Sequence, residues 1–136
     1  MKRQILVALI AFCGCGAPAW ADDPINCKDP PDQNSMTRCA GIEYDKADKE
    51  LNALWPEVKA AAEDSDKAAS AGEGGYVKAL MASQKAWIAF RDAECTWQGF
   101  DSHGGSLEPM LVNGCLARLT QERIKQLKEN QEGLGN

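Results

Sequence analysis

Few residues in this 136-residue chain are equipped for chemistry: six cysteines, one histidine, a glutamine and an arginine set inside an apolar stripe, and carboxylates scattered along helical segments. Cys13 and Cys15 fall in an N-terminal leader, which leaves Cys27, Cys39, Cys95 and Cys115. An even set of cysteines in an exported chain reads as two disulfides. Zinc sites pair Cys or His a few residues apart, whereas these four are widely and unequally spaced and His103 stands alone, so no metal is expected. Four cysteines allow three connectivities. Joining Cys95 to Cys115 and Cys27 to Cys39 closes the shortest loops.

Nucleophilic catalysis needs a nucleophile with a base in hydrogen-bond reach. His103 sits in a glycine loop and the cysteines are expected to be oxidised, so a hydrolytic triad is not expected. Glu43, Asp45, Asp48, Asp92 and Glu94 offer carboxylates of the kind that cleave glycosidic bonds in pairs. Acidic residues on a helix surface are ordinarily solvated, so these carboxylates are expected to face water. The sequence therefore predicts no catalytic residue and no cofactor.

Gln84 and Arg91 lie seven residues apart in a stripe of Val77, Leu80, Met81, Trp87, Ile88 and Cys95. A buried guanidinium needs a partner. Antiparallel first and second helices would set Arg91 opposite Tyr44 and within reach of Asp48 or Glu43, an internal bridge that fixes register. Asn52 and Gln84 are expected to form a similar polar pair. Trp55, Trp87 and Trp97 have the rings to stack on a sugar, but tryptophans at helical spacing usually fill a core, and Trp97 is the least constrained of them. The best candidate binding element is the loop carrying Ser102, His103, Gly104, Gly105 and Ser106, because glycines allow close backbone approach and loops carry function on rigid scaffolds.

The elements that must position these residues start after the leader. Lys2 and Arg3 precede an apolar run over residues 5–12, and Ala19 and Ala21 supply the small residues a signal peptidase reads, so residues 1–21 read as a signal peptide cleaved before Asp22. The run is shorter than the roughly 20 apolar residues that span a bilayer, so no integral membrane segment is expected after cleavage. Lipidation at Cys13 or Cys15 is disfavoured by the bulky Phe12. The expected destination is the periplasm or the secreted fraction. Cleavage removes two basic residues and no acidic one, taking the formal charge from -5 to -7. An acidic total argues against nucleic-acid binding, which needs a basic face.

Residues 22–136 are expected to form one domain. Residues 22–34 read as an extended, proline-rich lead. Asn34 or Ser35 caps a helix over residues 35–63, whose stripe runs Ala40, Tyr44, Ala47, Leu51, Leu54, Trp55 and Val58. Pro56 predicts a kink or short break near Trp55. Residues 64–75 are the expected mobile connection, residues 76–98 a second helix and residues 99–105 a second loop. A third helix, capped by Ser106 and carrying Pro109 in its first turn, ends at Gly133 and Gly135. With no strand pattern, the fold class is all-α: a small up-down-up three-helix bundle, its first helix kinked at Pro56, with two disulfides and all four cysteines at one end.

The spaced residues form a larger pattern: Met36 with Cys39 and Ala40, Tyr44 with Ala47 and Asp48, Leu51 with Asn52, and Gln84 with Ala86, Trp87 and Ile88. It continues through Phe90, Arg91, Asp92, Ala93 and Cys95, then Gly104, Gly105, Ser106, Pro109, Met110, Cys115, Leu119, Thr120, Arg123 and Leu127. Over most of residues 22–136 this resembles the bacterial envelope family called lysozyme inhibitor LprI-like, N-terminal domain. Pro56 departs from that family's continuous first helix. The resemblance implies an exported, cysteine-bridged helical protein whose partner is a lysozyme-type glycoside hydrolase, bound directly and without catalysis. On this reading Tyr44, Asp48, Asn52, Gln84, Trp87, Arg91 and Asp92 hold the bundle together. The loop of residues 103–106 enters the sugar-binding cleft, and helix-face carboxylates meet the cleft's basic rim. The alternative is a non-catalytic envelope interaction or stress protein that binds another partner or a small ligand.

Overall fold

The computed structural model describes residues 25–134, so the expected leader and its cleavage site lie outside the described residues. The first helix, α1 (Gln33–Ala68), begins earlier and ends later than its apolar stripe suggests. Asp32, in extended backbone, caps it by accepting from the Ser35 amide at 2.7 Å, in place of the expected Asn34 or Ser35. α1 passes through Pro56 as one element. An interior proline costs about 3 kcal/mol in a helix. Leu51 and Leu54 before it and Val58 and Ala62 after it are all buried, so packing keeps both halves helical and α1 continues past Pro56 without a break.

The second helix, α2 (Tyr76–Gly99), starts at Gly75, whose positive φ of 122° suits a residue without a side chain. Its first amides are satisfied from a distance. The Asp66 carboxylate, in the last turns of α1, accepts from the amides of Gly75, Tyr76 and Val77 at 2.6, 2.8 and 3.1 Å. Those bonds hold the Asp66 carboxyl below its ordinary range. Half of the segment expected to be the mobile connection is therefore helical or tied to a cap. A single 3-10 turn (Phe100–Ser102) follows α2, and α3 (Glu108–Leu134) completes the chain. α3 opens at Glu108, one residue later than a cap at Ser106 would set it, keeps Pro109 in its first turn, and runs through Gly133. Gly135 lies outside the described residues.

Contacts along the helices give their directions. Gln33 reaches Met110 and Glu50 reaches Lys128, so α1 and α3 run parallel. Gln84 meets Arg123 and Cys95 is bonded to Cys115, so α2 runs back between their levels. The result is the up-down-up bundle, with no strand among the described residues. α1 packs more extensively against α3 than α2 packs against either. Leu51, Leu54 and Val58 of α1 bury against Ile124 and Leu127 of α3, with Leu80 and Trp87 of α2 packed against that cluster.

The other end is organised by covalent bonds. Cys27 is joined to Cys39 and Cys95 to Cys115, with Cα separations of 5.5 and 5.3 Å. Cys95, Cys115 and Leu119 form a second buried cluster. Closing the 20-residue separation between Cys95 and Cys115 contributes about 3 kcal/mol by restricting the unfolded chain. Gly99 lets α2 end against α3, since a Cβ there would sit 2.6 Å from Val112 Cγ2. The α2 seam is narrower than its sequence stripe: Arg91, Cys95 and Gly99 are buried, whereas Met81 and Ile88 are exposed.

Candidate functional site

The loop between α2 and α3 is held by its own backbone and by one side chain the sequence reading passed over. The Gly105 amide donates to Ser102 O at 2.9 Å and the His103 amide to Phe100 O at 3.2 Å. Glu108 then closes the turn from below. Its Oε2 accepts from the Gly104 amide at 2.7 Å, and its Oε1 lies 3.2 Å from His103 Nδ1. The Gly104 amide, with a smaller contribution from His103, holds the Glu108 carboxyl below its ordinary range. Gly104 has φ +75°, a conformation that favours glycine. The His103 ring stacks on Phe100 with centroids 4.4 Å apart. His103, Gly104, Gly105 and Ser106 are exposed and Ser102 is half-buried, so the five loop residues form one outward-facing turn beside the Cys95–Cys115 bridge.

The seam residues lie apart from that loop, in the middle of the bundle. Arg91 is 8% exposed. Its Nε donates to Asp92 at 2.9 Å, its Nη1 lies 3.8 Å from Asp48, and Thr120 accepts from the same Nη1 at 3.4 Å. The strongest partner is therefore its sequence neighbour, while the expected bridge to Asp48 is present at longer range. The guanidinium also lies over the rings of Tyr44 and Trp87, 5.6 and 5.0 Å from the centroids. Burial pushes the Tyr44 hydroxyl above its ordinary pKa, and Arg91 opposes that shift. Asp48 and Asp92 both act as counter-ions to Arg91.

The expected polar pair between Asn52 and Gln84 is replaced by two separate bonds. Asn52 donates to Asp48 at 2.9 Å, one turn back on α1, whereas Gln84 accepts from Arg123 Nε at 3.0 Å. Arg123, which in the sequence stands out only by its place in the family pattern, is 8% exposed, donates to Ser83 at 3.0 Å and Gln126 at 3.4 Å, and lies 5.7 Å from the Trp87 centroid. Burial draws its pKa down. Trp87 thus lies under two guanidiniums. The signal available in the sequence was spacing, because Thr120, Arg123 and Leu127 follow helical steps and all face inward.

A groove of about 350 Å³ between α1 and α2 is lined by Leu51, Trp55, Met81 and Ile88, with Asn52, Gln84 and Lys85 contributing polar groups. Among the described residues no cluster of three or more His, Cys, Asp or Glu is placed to hold a metal ion, and no helix is long and apolar enough to cross a membrane.

Comparison with known proteins gives these features a family. Residues 27–127 match the model of the family described as lysozyme inhibitor LprI. A protein of uncharacterized function from Rhizobium meliloti (strain 1021) is 42% identical over 138 residues, a match covering 98% of this chain and 99% of the relative. No solved structure matches. The match spans both disulfides, the central seam and the glycine loop, and the chain belongs to the LprI lysozyme inhibitor family.

Proposed function

We propose that this protein is an exported binding module that inhibits a lysozyme-type peptidoglycan hydrolase by occupying its active-site cleft, with no catalytic step of its own. The observation that carries the reading is the family match across residues 27–127. Geometry supports it. The loop of Ser102, His103, Gly104, Gly105 and Ser106 is exposed, tied down by Glu108 and anchored next to a disulfide, so little ordering remains to be done on binding. The two disulfides and the family fit an exported protein. Residues 1–21 act as the leader, and the protein from Asp22 onward works in the periplasm or outside the cell.

The test is a cell-wall lysis assay in which oxidised protein from Asp22 to Asn136 is titrated against animal-type, goose-type and invertebrate-type lysozymes. The expected result is stoichiometric inhibition of one class and no peptidoglycan turnover by the protein alone. Replacing His103 and Ser106 by Ala should weaken inhibition; unchanged inhibition would remove the loop from the cleft. A second reading, a non-catalytic envelope protein that takes a small ligand, is favoured by the α1/α2 groove, whose volume falls at the lower end of ligand pockets. Failure to inhibit any class, by folded and fully bridged protein, would transfer the assignment to that reading.

A further inference from the structure

Large aromatic side chains are normally withdrawn from water, yet Phe90, Trp97 and Phe100 are 56, 69 and 56% exposed. Their positions are related. Seven residues make nearly two helical turns, so Phe90 and Trp97 share one flank of α2, away from the face that buries Arg91 and Cys95. Phe100 follows three residues after Trp97, at the end of the helix, and its ring stacks on His103. The three exposed residues follow one flank of the chain from the middle of α2 to the exposed loop. The core does not need them, since both buried clusters are built from other side chains.

Charge identifies what covers the strip. Between Lys85 and Arg118 the only cation is Arg91, which is buried and already faces Asp92 and Asp48. The same stretch carries Glu94, four residues after Phe90 and three before Trp97, and Asp101 beside Phe100. Glu94 accepts from Gln98 Nε2 at 2.9 Å, and neither it nor Asp101 forms an ion pair with a Lys or Arg among the described residues. An apolar ridge edged by carboxylates that lack a counter-ion complements an apolar cleft with a basic rim. A second copy of this chain would bring like charges together across a two-fold contact, and a small ligand would find a ridge where it needs a hollow.

We propose that Phe90, Trp97 and Phe100, edged by Glu94 and Asp101, form the docking surface for a basic protein, namely the hydrolase of the inhibitor reading, on which this proposal rests. Trp97 is the central anchor, because exposed tryptophans that become buried at interfaces carry much of the binding energy. The loop of residues 102–106 continues the same surface.

The test measures affinity, association rate and sedimentation for oxidised protein from Asp22 onward and its variants against the lysozymes named above. Trp97→Ala should weaken binding about 30-fold or more, the range of interface anchors. Phe90→Ala gives an independent variant should Trp97→Ala lose structure by circular dichroism. Glu94→Gln combined with Asp101→Asn should slow association and flatten its salt dependence, while Ile42→Ala, at a half-exposed apolar residue on α1, should change nothing. Wild-type inhibition that survives both aromatic variants would overturn the strip and leave the inhibitor reading standing. A wild-type protein that binds no hydrolase would overturn the inhibitor reading and the strip's partner with it. Self-association abolished by Trp97→Ala would reassign the strip to a second copy.

Discussion

At the scale of single residues, Arg123 presents the sharpest energetic question, because a buried cation is ordinarily matched by a carboxylate and this one is held by neutral oxygens of Gln84, Ser83 and Gln126. Hydrogen bonds to a charged group are worth about 1.5–3 kcal/mol. Gln84→Met should therefore destabilise the protein by about 2 kcal/mol, since it leaves the Nε donor of a buried guanidinium without its acceptor. Arg123→Met removes the desolvated charge together with the need for that acceptor, so adding Gln84→Met to it should cost much less than Gln84→Met alone. Chemical denaturation of the two single variants and the double variant measures the coupling. Equal cost of Gln84→Met in both backgrounds would show that the Arg123 bond contributes nothing net. Arg91 differs in kind: its carboxylates, Asp48 and Asp92, remain solvent-accessible, so they are not stranded when it is replaced.

At the scale of elements, the junction between α1 and α2 depends on one carboxylate, Asp66, which caps a helix to which it does not belong. Its folded pKa is lowered by the three amides it accepts from. The stability it supplies is thus complete above the unfolded carboxylate value and is lost as pH falls through the folded one, a window below about pH 4. Melting curves across that range should show the wild type losing Tm on acidification more steeply than Asp66→Asn, which starts lower at neutral pH; parallel slopes would show that the cap is not linked to protonation. This junction also shows where sequence reading stops. Three-and-four spacing gave the three helices and their order because burial imposes that period on any packed helix. It also placed Met81 and Ile88 in the seam, where the structure exposes them, because periodicity reports which residues share a face and says nothing of how wide a strip the neighbouring helices cover. Asp66 and Glu108 act on backbone amides four to eleven residues away, across a turn whose path residue types do not specify. The seam was partly legible for the same reason: the need of Arg91 for a partner follows from its position, but the choice of Asp92 over Asp48 depends on side-chain paths that only the packed bundle fixes.

At the scale of the whole molecule, the formal charge of the chain is -5, and the stretch from the middle of α2 through the following loop, after Lys85, carries Asp92, Glu94 and Asp101 with no exposed Lys or Arg among them. Animal-type lysozymes are basic, so on the proposed inhibitor reading the two fields would attract before any contact forms. This attraction acts on encounter, whereas the aromatic strip acts only after water has been expelled from it. The two contributions are therefore separable by salt. Raising ionic strength from about 0.1 M to about 1 M shortens the screening length from about 10 Å to about 3 Å. Association with an inhibited lysozyme should slow by an order of magnitude or more over that range, with dissociation changed far less, as stopped-flow or surface-binding kinetics would record. The same salt series on Trp97→Ala should show the wild-type dependence of association together with faster dissociation at every salt concentration. Association insensitive to salt would mean that the acidic surface of this bundle serves solubility alone and that docking is led by its apolar strip.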